Sequence, residues 1–322
     1  MTPPLPRISR AILAQGSMCY LAARTPVLPG PHLTPVVFAL EGRSLWVTTS
    51  RSSVKVRAWR GDPLVAGLIA VGDQAMVFRG SVRIFDALDP FTWPAATLAA
   101  PRLLRAAARY AAKNARFFAG YAVDARRIPP EWTPPGRVFV EVDMTAGRLI
   151  ADDEIIEGWG EWEVGASFRP RSDPPRRGRG IDLRVPKAIR RAVGQAGQGA
   201  LALDTKAGGL TVLPAPWRRA AGEGVYEITV ARAVLELAGT SDRGRISRAS
   251  LTVDDAHGWR ASEMMGMLLQ GPAEAFALPE TIRGRKEVQM RLGQRTGAAL
   301  VRLHPVQAVW WQGWDSATAR AG

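Results

Sequence analysis

The 322-residue chain contains one cysteine, Cys19, and three histidines, His32, His257 and His304, far apart from one another. A lone thiol excludes a disulfide framework, a four-thiolate zinc centre and a cysteine-held iron–sulfur cluster. Three scattered imidazoles in no H-x-x-x-H spacing leave little for an all-protein transition-metal site, so no metal is expected. Long apolar runs are also missing. The longest, Leu64 to Val71, is far shorter than a bilayer requires. The first residues carry Arg7 and Arg10 but only Ala11-Ile12-Leu13 before Gln15, which is not a secretory h-region. The expectation is a soluble cytoplasmic protein with no membrane partner. No Ser-His-Asp constellation, paired catalytic carboxylates or P-loop stands out, so nothing points to hydrolysis or phosphoryl transfer, and catalytic residues stay unassigned.

What is present is enough chain for two domains, 47% hydrophobic, with a formal charge of +14. That charge invites a nucleic-acid reading, but its location argues against one. Between Arg169 and Arg191 stand nine basic and two acidic residues, among Pro170, Pro174, Pro175, Gly178 and Gly180. Such a run is expected to be a solvated connector over 166–187, with docking of an anionic partner as the alternative.

On either side of it, 1–165 and 188–322 show the same landmarks in the same order. A short helix-like stretch (Ile8 to Gln15; Ala188 to Gly197) leads into an apolar strand, Cys19 to Ala23 or Ala200 to Leu203. A second strand, Leu33 to Phe38, matches Val212 to Trp217, and a third, Leu45 to Thr48, matches Tyr226 to Thr229. Phe78-Arg79-Gly80 matches Leu269-Gln270-Gly271. Gly136 to Val142 matches Gly297 to Leu303, with Gly158-Trp159 and Gly313-Trp314 following. Many short strands with turn signals predict antiparallel barrels. A helical insertion is expected from Thr92 to about Gly120, its basic positions forming a solvated face.

The most informative segment runs from Pro31 to Pro63. It reads as a strand, a glycine turn and a second strand. That strand breaks into the hydroxyl run Thr48-Thr49-Ser50-Arg51-Ser52-Ser53 and continues into Lys55, Arg57 and Arg60. Ser52 or Ser53 can cap a helix to about Arg60, ended by Gly61-Asp62-Pro63. Free helix N–H groups beside hydroxyl donors and an ammonium suit a phosphate monoester; an ordinary capped helix is the plainer alternative.

This segment resembles the FMN-binding split-barrel family that includes pyridoxamine 5′-phosphate oxidase. Pro31-His32-Leu33-Thr34-Pro35-Val36, Thr49, Ser53, Lys55 and Asp62-Pro63 stand at that family's motif positions, and Phe78-Arg79-Gly80-Ser81-Val82 resembles its R-G strand. The resemblance implies two tandem split β-barrels, mainly β with short helices, forming a pseudo-dimer within one chain or a homodimer of it. It implies that Thr48, Thr49, Ser53 and Lys55 hold a flavin phosphate, and that Ser50, Arg51 and Arg79 also bind the cofactor. The strand through Thr34, Pro35, Val36 and Val37 is implied to lie along the flavin ring. Where the family closes its motif with Arg-Lys, this chain has Val54-Lys55, leaving Arg51 or Arg57 to compensate.

The second half resembles the same fold without the site. Aligning Thr48 with Thr229 sets Val234 opposite Ser53 and Glu236 opposite Lys55, so one flavin per chain is expected. The end of the chain, Val309-Trp310-Trp311-Gln312-Gly313-Trp314-Asp315, lacks the family's Arg-rich substrate motif, which speaks against vitamin B6 oxidation. Its tryptophans could shield a flavin, stack on a substrate or simply fill an interface. The resemblance implies an oxidoreductase using FMN, or a deazaflavin, on a small-molecule substrate. A flavin or haem carrier is the alternative, with His304 the candidate haem ligand, or a regulator docking through the connector.

Overall fold

The computed structural model describes the chain except residues 1–4, 134–135, 165–169, 173–182, 221–223, 240–243, 256–259, 279–296 and 321–322. In the first half, helix α1 (Arg7–Gln15) precedes strands β1 (Met18–Ala23), β2 (His32–Glu41) and β3 (Ser44–Ser50). Helix α2 (Val54–Gly61) is followed by β4 (Leu64–Val71), β5 (Gln74–Phe85), β6 (Arg137–Ala151) and β7 (Glu154–Trp159). The sheet runs β3-β2-β1-β4-β5-β6-β7, and β3 also pairs with β6, closing a six-stranded antiparallel barrel. Leu13, Leu21, Phe38, Met76, Phe78 and Val140 fill its interior. A kink in the β5–β6 ladder falls at Arg79/Gly80, where a side chain on Gly80 would strike the Asp143 carbonyl.

The barrel has a seam. β2 pairs with β1 through His32 to Val37, but with β3 only through Phe38 to Glu41. The remainder of β3, Thr48 to Ser50, pairs with β6 alone. Strands β2 and β3 therefore part company, leaving one backbone edge of Thr34 to Val37 facing the β3–α2 turn.

Helices α3 (Trp93–Leu98), α4 (Ala100–Lys113) and α5 (Ala115–Asp124) form the insertion between β5 and β6. It caps an outward aromatic layer in which Trp46, fully buried, stacks on Phe85 and Phe139 above Ala106. Its arginines are not simply solvated: Arg109 reaches Glu41 at 2.8 Å, Arg105 the same carboxylate at 3.3 Å, and Arg102 pairs with Glu141.

The second half contains α6 (Lys187–Val193), β8 (Ala196–Gly197), β9 (Ala200–Thr205), β10 (Gly209–Pro214), β11 (Trp217–Arg219) and β12 (Tyr226–Ala231). Then come α7 (Arg232–Glu236), β13 (Arg245–Asp255), β14 (Met265–Ala277), β15 (Ala298–Leu303), β16 (Gln307–Gln312) and β17 (Asp315–Arg320). Its sheet order, β10-β9-β13-β14-β15-β12-β11-β8, is a curled half-barrel, and the whole has a tandem split-barrel fold. The expected single strand from Val212 to Trp217 is broken in two. Pro214 and Pro216 have no N–H for a ladder; β10 stays with β9, and β11 joins β12.

Registers establish which residues correspond. Gly80 and Gly271 both sit where their strand meets a kinked partner, Gly271 facing the His304 carbonyl. Counting along paired strands from them equates Val65 with Ala249, Ala23 with Leu203, His32 with Thr211 and Pro35 with Pro214. The Gly-Trp pairs do not correspond. Gly158-Trp159 ends β7, whereas Gly313-Trp314 makes the β16–β17 turn.

One continuous apolar cluster joins the halves, with Leu33, Leu68 and Val77 among residues of the second core. Hydroxyls reinforce it: Ser250 donates to the Pro31 carbonyl at 2.6 Å and Thr252 to that of Leu33 at 2.7 Å. Most of the basic connector lies outside the described residues. Where it is described it is anchored rather than solvated, because Leu183 and Val185 are buried and Arg171 ion-pairs with Glu274 at 2.8 Å.

Candidate functional site

The β3–α2 turn is built by its hydroxyls. The Ser53 N–H closes on the Ser50 carbonyl, and Ser53 Oγ accepts from the Val56 N–H at 3.2 Å, capping α2 as expected. The amides of the first helical turn have no carbonyl behind them within the helix. Lys55, on that first turn, shares a helix face with Trp59, and both are buried. Among the described residues Lys55, only 4% exposed, has neither hydrogen bond nor ion pair.

An ammonium in that position is costly. Burial lowers Lys55 from 10.5 to about 7; Cys19 opposes this and the nearby positive Arg137 adds to it. The neighbouring groups share the predicament. His32 is lowered to about 3, by burial first and Lys55 second, and its Nδ1 has no hydrogen-bond partner among the described residues. Lys113, from α4, lies 3.5 Å over the Phe38 ring; its buried Nζ likewise has no hydrogen bond, and burial lowers it to about 8.

Arg137, the first residue of β6, stands across the turn. Its Nη2 donates to Thr48 Oγ1 at 2.8 Å and to the Thr48 carbonyl at 2.9 Å, while buried Nη1 has no hydrogen bond among the described residues. Thr48 Oγ1 also meets the Tyr110 hydroxyl at 3.0 Å. Beyond Arg137 lies an aromatic wall. Trp132 carries its guanidinium at 5.3 Å, and Trp314, from the second half, packs edge-on against both Trp132 and Tyr121. The Trp314 indole N–H is buried without a hydrogen bond among the described residues.

The expected site residues therefore divide. Thr48, Thr49, Ser50, Ser53 and Lys55 are together at the turn, with the free edge of Thr34, Pro35, Val36 and Val37 across the seam. Arg51 is not available, because it holds buried Asp86 at 2.6 Å. Arg57 is exposed on the outer side of α2. Arg79 points away from the turn into the second half, donating to the Gly208 and Leu237 carbonyls and to Thr211 Oγ1, with Trp162 stacked on it at 4.2 Å. Arg137, Lys113, His32, Tyr110 and Trp132 were not singled out as ligands. Only the Gly136–Val142 repeat drew attention to the start of β6.

The second copy has lost the turn. α7 begins directly at Arg232 after an Ala231 N-cap that offers no side-chain bond. Matching the N-caps, and the buried Val56 with Val234, puts Ala231 opposite Ser53 and Ala233 opposite Lys55. Glu236 is therefore not the counterpart of Lys55; it is half-exposed and pairs with Arg232 at 3.6 Å. His304, a third exposed, lies 4.0 Å from Glu274 in the second half.

Part of the chain is similar to several solved structures. General stress protein 26 from Bacillus anthracis aligns over 47% of this chain and 95% of its own, with 14% identity and a TM-score of 0.31. An F420 reductase covers 44% of this chain and 98% of its own, at 21% identity and a TM-score of 0.30. A pyridoxamine 5′-phosphate oxidase-related, FMN-binding protein from Nostoc punctiforme covers 44% and 78%, at 17% identity and a TM-score of 0.31. No protein-family profile and no curated protein matches the chain.

Proposed function

We propose that the seam of the first barrel holds the phosphate end of a flavin-type cofactor, FMN or a deazaflavin, and that the chain is an oxidoreductase acting on a small molecule. Lys55 carries this reading. A lysine only 4% exposed and without a partner among the described residues, near a guanidinium nitrogen and an imidazole nitrogen that lack one there too, is best stabilised by an anion that joins them. A phosphate monoester supplies the charge and the acceptors. The residues present fit such a group. Lys55 and Arg137 would contact it from two sides, the first-turn amides of α2 would donate to it, and Ser50 and Thr49 line the same turn.

The free edge of Thr34 to Val37 offers backbone donors and acceptors to a planar heterocycle, with a gap at Pro35, which has no N–H. The wall of Tyr121, Trp132 and Trp314 excludes water on the far side. Bound there, a flavin or deazaflavin supplies hydride or electron transfer, and the chain supplies orientation and electrostatics.

Titration of the purified protein with FMN, riboflavin and a deazaflavin, followed by fluorescence, tests the proposal. FMN binding at least tenfold tighter than riboflavin, and weakened by Lys55→Met, is expected. Equal affinity for the phosphorylated and unphosphorylated forms would remove the phosphate from the seam.

A further inference from the structure

The insertion has a second face that the candidate site does not use. From Pro90 to Val123 the sequence contains no Asp or Glu and five basic residues. Seven of the twelve exposed large hydrophobic side chains among the described residues lie between Leu88 and Val123. Phe91 is 94% exposed, Leu98 88% and Leu104 73%, with Trp93 and Val123 also outward. On α4 the outer positions between and beyond them are small: Ala107, Ala108, Ala111 and Ala112 are all exposed. A soluble surface rarely carries so dense an apolar set without a use for it.

The rim of this face is cationic. Arg83, Arg102, Arg105 and Arg109 share only two carboxylates, Glu41 and Glu141, leaving an excess of positive charge. Arg83, Arg105 and Arg109 remain about three-fifths exposed (60, 61 and 58%) while making those contacts. Arg116 adds a further exposed cation on α5.

We propose that this face docks on an anionic lipid surface, with Phe91, Trp93 and Leu98 entering the headgroup boundary and the arginines contacting lipid phosphates. Projecting aromatic and aliphatic side chains beside cations in excess over their carboxylate partners are what an interfacial helix needs. No described helix is long and apolar enough to span a membrane, so the contact is peripheral in its helices. A second copy of the chain is the poorer occupant, because a two-fold contact would set this cationic rim against itself.

Co-sedimentation of the full chain with phosphatidylcholine vesicles, with and without about one-third phosphatidylglycerol, tests the proposal. Binding is expected only to the anionic vesicles, and it should weaken with added salt. The Phe91→Ser/Leu98→Ser pair should lower partitioning by about tenfold or more, and Arg116→Glu should weaken it as well. Leu104→Ser provides a second apolar variant, and unchanged thermal unfolding would show that these exposed changes leave the fold intact. Failure to bind anionic vesicles, or equal binding by the double variant, would overturn the proposal. So would a wild-type dimer in light scattering that the double variant breaks, in the absence of vesicle binding.

Discussion

Arg79 and Gln270 occupy equivalent positions in the two halves, each directly before the glycine at which its strand pairing kinks. Each donates across the interface to the segment leading into the opposite half's second strand. Gln270 Nε2 reaches the Gly30 and Pro31 carbonyls at 2.8 and 2.9 Å. Arg79 Nη2 reaches the Gly208 carbonyl and Thr211 Oγ1, and extends to the Leu237 carbonyl behind α7 at 3.0 Å. The longer side chain thus reaches the C-terminal end of α7, whereas the hydrogen bonds of Gln270 across the interface stop at the Gly30 and Pro31 carbonyls.

Arg79→Met should therefore weaken the join between the halves rather than the site. Loss of three charge-assisted hydrogen bonds at a half-buried interface predicts about 2–4 kcal/mol of destabilisation in chemical denaturation. FMN affinity should stay within about twofold of wild type. Weakened binding at full stability would return Arg79 to the cofactor's surroundings.

Lys55→Met should act in opposite directions on stability and on binding. Removing an unpaired buried ammonium should stabilise the protein without ligand at neutral pH, by about 1–2 kcal/mol. The same change should cost about 1–3 kcal/mol of phosphate affinity. Denaturant unfolding and FMN titration measure the two separately. Destabilisation by the substitution would mean that Lys55 has a structural partner after all.

The acid–base behaviour of Lys55 gives a pH signature. Its folded value of about 7 lies below its ordinary 10.5, so between these values the unfolded chain binds the extra proton. Stability should consequently rise with pH across that interval, and the rise should vanish in Lys55→Met. Phosphate affinity should run the other way, falling above about pH 7 as the free protein loses the proton that the ligand needs. Below about pH 6 the phosphate itself becomes a monoanion and binding should decline again. An affinity flat from pH 6 to 9 would contradict this.

Arg51 and Arg137 should separate cleanly. Arg137→Met should lose about 1–3 kcal/mol of FMN affinity. Arg51→Met should leave affinity intact and destabilise the fold, because it strips a partner from buried Asp86, which also binds Arg60 at 3.0 Å. The reverse pattern would restore Arg51 as a phosphate ligand.

Saturation should occur at one FMN per chain, read from bound absorbance against protein concentration. With Ala231 and Ala233 where the first half has Ser53 and Lys55, the second turn lacks both the capping hydroxyl and the buried lysine of the first. Two equivalents would refute the lost-site reading.

The repeat, the succession of strands along the first half and the Ser53 cap were all readable in the chain, because hydrophobic alternation, glycine turns and cap residues act locally. The Pro35–Pro214 correspondence also survived, since register preserves spacing. Arg137 was hidden for the opposite reason. It stands more than eighty residues beyond Lys55 and arrives only because β6 closes the barrel against β3. Arg51 was assigned to the phosphate on its neighbours alone, and nothing local revealed that Asp86 would claim it. The equation of Glu236 with Lys55 assumed turns of equal length, whereas α7 starts three residues early. The break at Pro214 and Pro216 lay in plain view, yet only pairing shows that it leaves the second barrel open.

Fusion of the two halves changes how such a protein can diverge. In a pair of identical subunits every altered residue appears twice, and an improvement at one site is tied to damage at the other. Here Arg79 and Gln270 are different residues in matching places, one reaching the far end of the opposite half's helix and the other stopping at its strand entry. Covalent linkage therefore lets matched positions in the two repeats take on different contacts.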